Sequence, residues 1–239
     1  MPGDGTGTVR LKGTPELRGA TTALRLTRVV GRRFAGGSEL AKDPDLRVYL
    51  GDLVRPYGLP LREDLLDEGA GHAYAEMAEE LIGAAVGPHE PVDLLVLAFA
   101  VPDVQPGRCT ALHLGHVCPG DPLAFGVCDQ GVAAAFTALR IAREYARSSD
   151  LRRALVLIVD QAVLHYPPMT EPGDPLTLAE GPSGVALLCD GIGADRDTDR
   201  AADRATASAT AEIAQIREHA AVAPESVRGL LAEEVAALL

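Results

Sequence analysis

The sequence predicts an α/β fold in which a mostly parallel sheet carries helices on both of its faces. Short, continuously apolar segments such as VDLLVLAF and ALVLIV are typical of strands buried on both sides. Longer segments between them repeat apolar residues at helical spacing. The two kinds alternate along the middle of the chain, an order typical of right-handed crossovers between parallel strands. With 239 residues, 47% of them hydrophobic, the chain can bury a full core.

The elements are predicted in order from their local patterns. LRLTRVV, over 24–30, alternates apolar and polar residues as a half-buried strand does. Residues 36–69 are dotted with Gly, Pro and Asp, which favours an irregular surface segment with short helices. Residues 70–86 predict a helix that Gly87 and Pro88 end. Further along, we expect strands at 92–99, 123–127, 154–159 and 185–189, and helices at 109–116 and 131–147.

Composition changes abruptly after Gly193. We therefore predict one domain over residues 1–192, a low-complexity linker over 193–210, and a helical tail over 211–239 with a break at Pro224. The tail can dock on the body of the protein or on a partner.

Charge and composition exclude several classes of function. A net charge of −12 argues against binding to nucleic acid, and the absence of Trp argues against stacking on single-stranded bases. No apolar run is long enough for a bilayer, and no signal peptide is evident. We expect a cytoplasmic protein whose four cysteines stay reduced: Cys109, Cys118, Cys128 and Cys189.

The segment PLAFGVCDQGVAAAFTALRIAREY predicts a strand, a sharp turn and a helix, with Cys128 in the turn. The positive end of a helix can lower the pKa of a nearby thiol, so Cys128 is a candidate acyl-accepting nucleophile. Asp129, the predicted helix N-cap, would oppose a thiolate through like charge. The alternative is that Cys128 is a small buried apolar residue at a strand end.

Two segments contain histidines that are candidate functional residues. His165 follows a predicted strand and is a candidate general base, with an ordinary solvent-exposed loop histidine as the alternative. Cys109, His113 and His116 would share one face of a helix and could hold zinc. Helix packing explains that spacing better, and we predict no metal site.

Four segments carry a family resemblance: VDLLVLAFAVPD, LAFGV, AAAFTALRIAREYARSSDLRRALVLIVDQA and EGPSGVALLCD. In their order and spacing, residues 70–190 resemble the N-terminal half of thiolase-fold condensing enzymes, above all the ketoacyl synthase III branch. The resemblance implies a thiolase-like half-unit and an acyl substrate carried as a thioester of coenzyme A or acyl carrier protein. It implies no permanently bound cofactor. It also implies a homodimer, or a heteromer with a ketosynthase-like chain.

The chain departs from the family pattern at three places. The family's nucleophilic cysteine aligns with Gly131 or Val132, the His and Asn of the family's second half have no counterpart, and the early coenzyme A contacts have no match between Gly31 and Gly58. Complete decarboxylating condensation by this chain alone is therefore not expected.

Three hypotheses remain. The first is a noncanonical ketosynthase III-like protein of polyketide-type or fatty-acyl specialised metabolism. In this protein Cys128 and His165 are the candidate catalytic residues. The second is a catalytically silent partner that completes or stabilises a full-length ketosynthase. The third is an unrelated α/β binding protein that matches by sheet periodicity alone.

Overall fold

A computed structural model describes residues 24–167, 178–191, 211–213 and 226. Six strands and five α-helices are found in these residues. In chain order they are β1 (Leu24–Arg33), α1 (Pro44–Val54), α2 (Glu63–Asp67), α3 (Tyr74–Ala85), β2 (Leu94–Ala98), α4 (Thr110–Val117), β3 (Leu123–Val127), α5 (Ala133–Ser148), β4 (Arg153–Asp160), β5 (Ser183–Gly191) and β6 (Ala211–Ile213).

All six strands form one sheet in the order β3-β2-β4-β5-β1-β6. The pairs β2–β3 and β2–β4 are parallel, whereas β4–β5, β5–β1 and β1–β6 are antiparallel. The sheet is mixed, as expected, but with two parallel and three antiparallel pairs it is not mostly parallel. The helices α4 and α5 join the parallel strands β2, β3 and β4. β5, which follows this parallel core in the chain, pairs antiparallel with β4 on one side and with β1 on the other.

Helices cover both faces of the sheet, as predicted. On one face, α3 and α4 bury a core around Leu81, Leu95 and Leu157. On the other face, α5 packs Ala134, Ala138, Ala142 and Ala146 against strand residues. Alanine at every fourth position lets the helix backbone approach the sheet closely, which explains why this stripe is fully buried.

A third, smaller core caps the sheet where β2 and β4 end. Leu46 and Leu50 of α1 and Leu66 of α2 pack against Val104, which follows β2, and Tyr166, which follows β4. The irregular segment predicted over 36–69 thus forms short helices with an apolar side of their own.

Most of the predicted elements are confirmed, with ends that move by a few residues. In the tail, Ala211–Ile213 forms a strand against β1, so the predicted helix is wrong at these three residues. The predicted linker and the rest of the tail, apart from Ser226, lie outside the described residues. No helix in the described ranges is long and apolar enough to cross a membrane.

Candidate functional site at the carboxyl edge of the sheet

The parallel strands β2, β3 and β4 direct their carboxyl ends to one edge of the sheet. Ala98 is aligned with Val127 on one side and with Ile158 on the other. The segments that follow these strands therefore meet at the same edge. They bring Cys128, Asp103 and His165 to it, and in open α/β sheets this edge is where ligands bind.

Cys128 follows β3 directly and is half-buried. Its thiol donates a hydrogen bond to Oδ2 of Asp129, with the two atoms 3.3 Å apart. Burial raises the pKa of the Cys128 thiol, and the Asp129 carboxylate raises it further. Both effects favour the neutral thiol over the nucleophilic thiolate.

The turn after β3 separates Cys128 from the helix. Asp129 takes a left-handed φ of 61°, Gly131 has a φ of 51°, and α5 begins only at Ala133. The N-cap is Val132, and no side chain caps the helix, so the prediction that Asp129 is the N-cap is wrong. Cys128 thus lies more than a helical turn ahead of the helix start, where the dipole does little for its thiol.

Gly131 and Val132, the two residues that the sequence resemblance aligns with the family's nucleophile, lie in open space. A Cβ built on Gly131 meets no heavy atom within 4 Å, and the Val132 side chain is 84% exposed. Neither residue carries a nucleophilic group. The only side chain in this turn that could accept an acyl group as a thioester is Cys128.

His165 is buried, so the alternative of a solvent-exposed loop histidine is wrong. Its Nε2 donates to the carbonyl oxygen of Ala70 at 3.0 Å, and burial lowers the pKa of the imidazole. The backbone carbonyl of His165 accepts from the amide of Arg62. The imidazole of His165 and the thiol of Cys128 are thus held by different partners, and the structure shows no dyad between them.

Sequence reasoning missed a partly buried polar network at this edge, centred on Asp103. Its Oδ1 accepts from the amides of Tyr74 at 3.0 Å and Gln105 at 3.2 Å, and its Oδ2 accepts from Oγ1 of Thr110 at 2.9 Å. Burial raises the pKa of the Asp103 carboxyl. The Tyr74 hydroxyl in turn donates to the carbonyl of Val101 at 2.6 Å. The sequence signal that could have revealed this network is the position of Asp103 soon after the buried strand β2, in the motif VPD.

Gln161 extends this network toward His165. Its Nε2 donates to the carbonyl of Pro102 at 2.6 Å, and its Oε1 is buried without a partner among the described residues. Gly71, with a φ of 95°, lies against both side chains: a Cβ there would be 3.2 Å from Oε1 of Gln161 and 3.6 Å from Cε1 of His165. The network ties the start of α3 to the loops after β2 and β4.

The two histidines of the candidate zinc site contact carboxylates instead. His113 contacts Oε1 of Glu79 at 2.6 Å, and His116 lies 4.0 Å from the Asp121 carboxylate. Cys109 is exposed at the start of α4. Within the described ranges, no group of three or more His, Cys, Asp or Glu side chains is placed to hold a metal ion.

Comparison with known proteins finds likeness only at the level of solved structures. No protein-family model matches the chain, and no curated protein matches it. A 3-oxoacyl-(acyl-carrier-protein) synthase III from Pseudomonas aeruginosa PAO1 is 17% identical, with a TM-score of 0.44 over 72% of this chain and 53% of that one. The tetronic acid condensing enzyme AbyA1 is 23% identical, with a TM-score of 0.45 over 72% of this chain and 56% of that one.

A third similar structure is OleA of Xanthomonas campestris, 14% identical with a TM-score of 0.39 over 72% of this chain and 57% of that one. The chain spans about half the length of the solved structures it matches. At these identities and TM-scores, the likeness assigns no activity to the chain.

Proposed function

We propose that this chain is a ketosynthase III-like protein of acyl-thioester metabolism that acts as a catalytically silent partner of a ketosynthase. The family part of the proposal is supported by the order of the four resembling segments along β2 to β5. The silent form is supported by one observation above all: the nucleophile position is Gly131 or Val132, and neither can form a thioester.

The environment of Cys128 supports the same conclusion. A thiol that substitutes for the missing nucleophile needs a lowered pKa, yet burial and Asp129 raise it. The helix that would supply positive potential starts five residues later, at Ala133. Binding of acyl coenzyme A or of acyl carrier protein then belongs to the partner, and this chain completes or stabilises that partner.

Co-expression with a candidate ketosynthase tests the proposal. We expect the two chains to co-purify, and we expect the partner's condensation activity to fall when this chain is omitted. Activity should persist when this chain carries Cys128→Ala. Loss of activity with Cys128→Ala, while the complex stays intact, would contradict the silent role.

An acyl-accepting form is the second candidate, because Cys128 is half-buried at the sheet edge rather than sealed in the core. In this form the Cys128 thiol attacks the thioester carbonyl, a thioester to Cys128 forms, and the thiol of coenzyme A or of the carrier leaves with the proton. His165 is the proposed base for that proton.

Intact-mass measurement after incubation with acyl thioesters tests the second candidate. We expect an adduct that is absent from Cys128→Ala and slower to form in His165→Gln. Cys109→Ala, which removes an exposed thiol at the start of α4, is the matched control and should keep the adduct. No adduct with any acyl donor would eliminate this form.

The silent form requires an assembly, and β3 provides a surface for it. β3 is the end strand of the sheet, and LAFGV contains no charge or proline to protect its outer edge. Leu123 is 53% exposed, and the neighbouring α4 exposes Leu112 and Val117. We propose that this edge pairs with a second copy or with the ketosynthase-like chain.

Native mass spectrometry at several concentrations tests the assembly. Leu123→Lys places a charge on the β3 edge and should shift the population to monomer. Val48→Lys, at an exposed position on α1, is the control and should leave the assembly unchanged. A wild-type chain that is monomeric alone and with the candidate partner would overturn the proposed interface.

A further inference from the structure

A cavity of about 310 Å³ lies where β1 ends and β5 begins. It is lined by residues 31–33 of β1 and 183–185 of β5, which pair antiparallel with each other. Ser183 is also aligned with Asp160 at the end of β4, so the cavity lies at the carboxyl edge of the parallel strands. It is separate from the turn that holds Cys128, because β3 lies four strand spacings from β1, about 19 Å away.

The alternation of side chains along β1 decides which of them point to the same side of the cavity. Nε of Arg32 lies 3.5 Å from the Glu80 carboxylate of α3, so this arginine points to the α3 face of the sheet. Its neighbours Gly31 and Arg33 therefore point to the opposite face. The β5 residues aligned with these two share that face: Val185 and Ser183.

The cavity is apolar at the end that contains Gly31. A Cβ built on Gly31 meets no heavy atom of the described residues within 4 Å, so the space that a side chain would fill is open. Val185 lies half-buried opposite Gly31. The same face continues along the two strands with Val29, which is 56% exposed, opposite the half-buried Leu187. An apolar group of a ligand can therefore lie along β1 and β5 here.

The other end of the cavity carries two hydrogen-bond donors, the Arg33 guanidinium and the Ser183 hydroxyl. Neither side chain makes an ion pair or a hydrogen bond with the part of the chain that the structure describes. The acidic residue aligned with Ser183 is Asp160, whose Oδ1 accepts from the amide of Gln161 at 3.0 Å. Burial raises the pKa of the Asp160 carboxyl, whereas an ion pair with Arg33 would lower it. Both donors are thus available to an anion.

We propose that this cavity binds a small organic carboxylate with an apolar chain. The guanidinium of Arg33 and the hydroxyl of Ser183 donate to the carboxylate oxygens, and the chain lies over Gly31 and Val185. A volume of about 310 Å³ equals about ten water-sized groups, which is the size of octanoate. The inference goes beyond the proposed function and does not depend on it, because it involves neither Cys128 nor the β3 edge.

Isothermal titration calorimetry of the full-length protein with octanoate tests the charged end of the site. We expect octanamide, which has the same shape without the charge, to bind at least about tenfold more weakly than octanoate. Arg33→Gln should weaken the binding of octanoate by a similar factor. Arg32→Gln is the matched control and should bind octanoate as wild type does, because the arginine that it removes pairs with Glu80 on the other face.

Filling the cavity tests the apolar end. Gly31→Leu places a side chain in the open space and should abolish the binding of octanoate. Gly51→Leu makes the same change on α1, at a position that is equally open among the described residues, and should leave the binding unchanged. Thermal unfolding of each variant establishes that it is folded, and Gly31→Val replaces Gly31→Leu if the latter fails to fold.

Four outcomes would overturn the proposal. Absence of binding at millimolar octanoate would show that the cavity takes no such ligand. Equal affinities for octanoate and octanamide, or equal losses in Arg33→Gln and Arg32→Gln, would exclude recognition of the carboxylate by Arg33. Unchanged binding in Gly31→Leu would place octanoate elsewhere on the protein. Inorganic phosphate that binds as tightly as octanoate would show that the apolar chain is not recognised.

Discussion

Replacing Asp103 tests whether the buried network holds the carboxyl edge of the sheet together. Asp103→Ala leaves three donors without an acceptor: the amides of Tyr74 and Gln105 and the hydroxyl of Thr110. Each buried donor left unpaired costs about 1–3 kcal/mol. Part of this cost is offset, because burial of the carboxylate is itself unfavourable, as its raised pKa shows. We expect a net loss of about 3 kcal/mol in the free energy of unfolding.

Urea denaturation at pH 7, followed by circular dichroism, measures this loss. Asp103→Asn is the matched control, since its carbonyl can accept from the two amides and its amide can donate to Thr110. We expect Asp103→Asn to stay within about 1 kcal/mol of wild type. The reasoning is refuted if Asp103→Ala is as stable as wild type, or if Asp103→Asn is destabilised as strongly as Asp103→Ala.

Three further predictions follow from the same edge of the sheet. Gly71→Ala, at a φ of 95° and against buried side chains, should cost about 2–4 kcal/mol in chemical denaturation, whereas Gly31→Ala, with nothing within 4 Å, should be nearly neutral. Burial raises the pKa of Asp160 above its ordinary 3.8, so the folded state holds this proton to higher pH than the unfolded state does. The stability that this group contributes is therefore lost as pH rises above 3.8. The introduced asparagine cannot ionise, so the melting temperature of Asp160→Asn should rise relative to that of wild type as pH increases from 3.8, and then level off. The same difference in melting temperature between the two proteins at acidic and at neutral pH would contradict this. Asp129→Asn removes the charge beside Cys128, so the pKa of the thiol should fall. Iodoacetamide should then alkylate Cys128 faster at pH 7, which peptide mass spectrometry can measure. An unchanged alkylation rate would refute the influence of the carboxylate.

Much of the fold was predictable because its signals are local. The apolar run that forms β2 and the alanine repeat that forms α5 each reveal an element from its own residues. The ends of β3 were predicted correctly, because Pro122 precedes the strand and a turn follows it. Strand direction was less predictable. β5 pairs antiparallel with β4, and which edge a strand joins depends on residues far away in the chain.

In the candidate site, too, local features were predictable from the sequence and long-range contacts were not. From the sequence, Cys128 lies beside Asp129 and before Gly131, the residue that the resemblance aligns with the family's nucleophile. In the structure the Cys128 thiol donates to Asp129, and α5 begins only at Ala133. The burial of His165 and the convergence of three donors on Asp103 could not be predicted from the sequence, because Ala70 lies far from His165 in the chain and Tyr74 far from Asp103.

By itself, the sequence determined the α/β alternation, the turn that carries Cys128, and the lack of a nucleophile at Gly131 and Val132. These are properties of residue type and short-range period. Only the tertiary structure decided that three of the five strand pairs are antiparallel, that His165 is buried against the Ala70 carbonyl, and that three donors converge on Asp103. Burial and hydrogen bonding between distant segments exist only once the chain has packed, because both depend on which surfaces exclude water together.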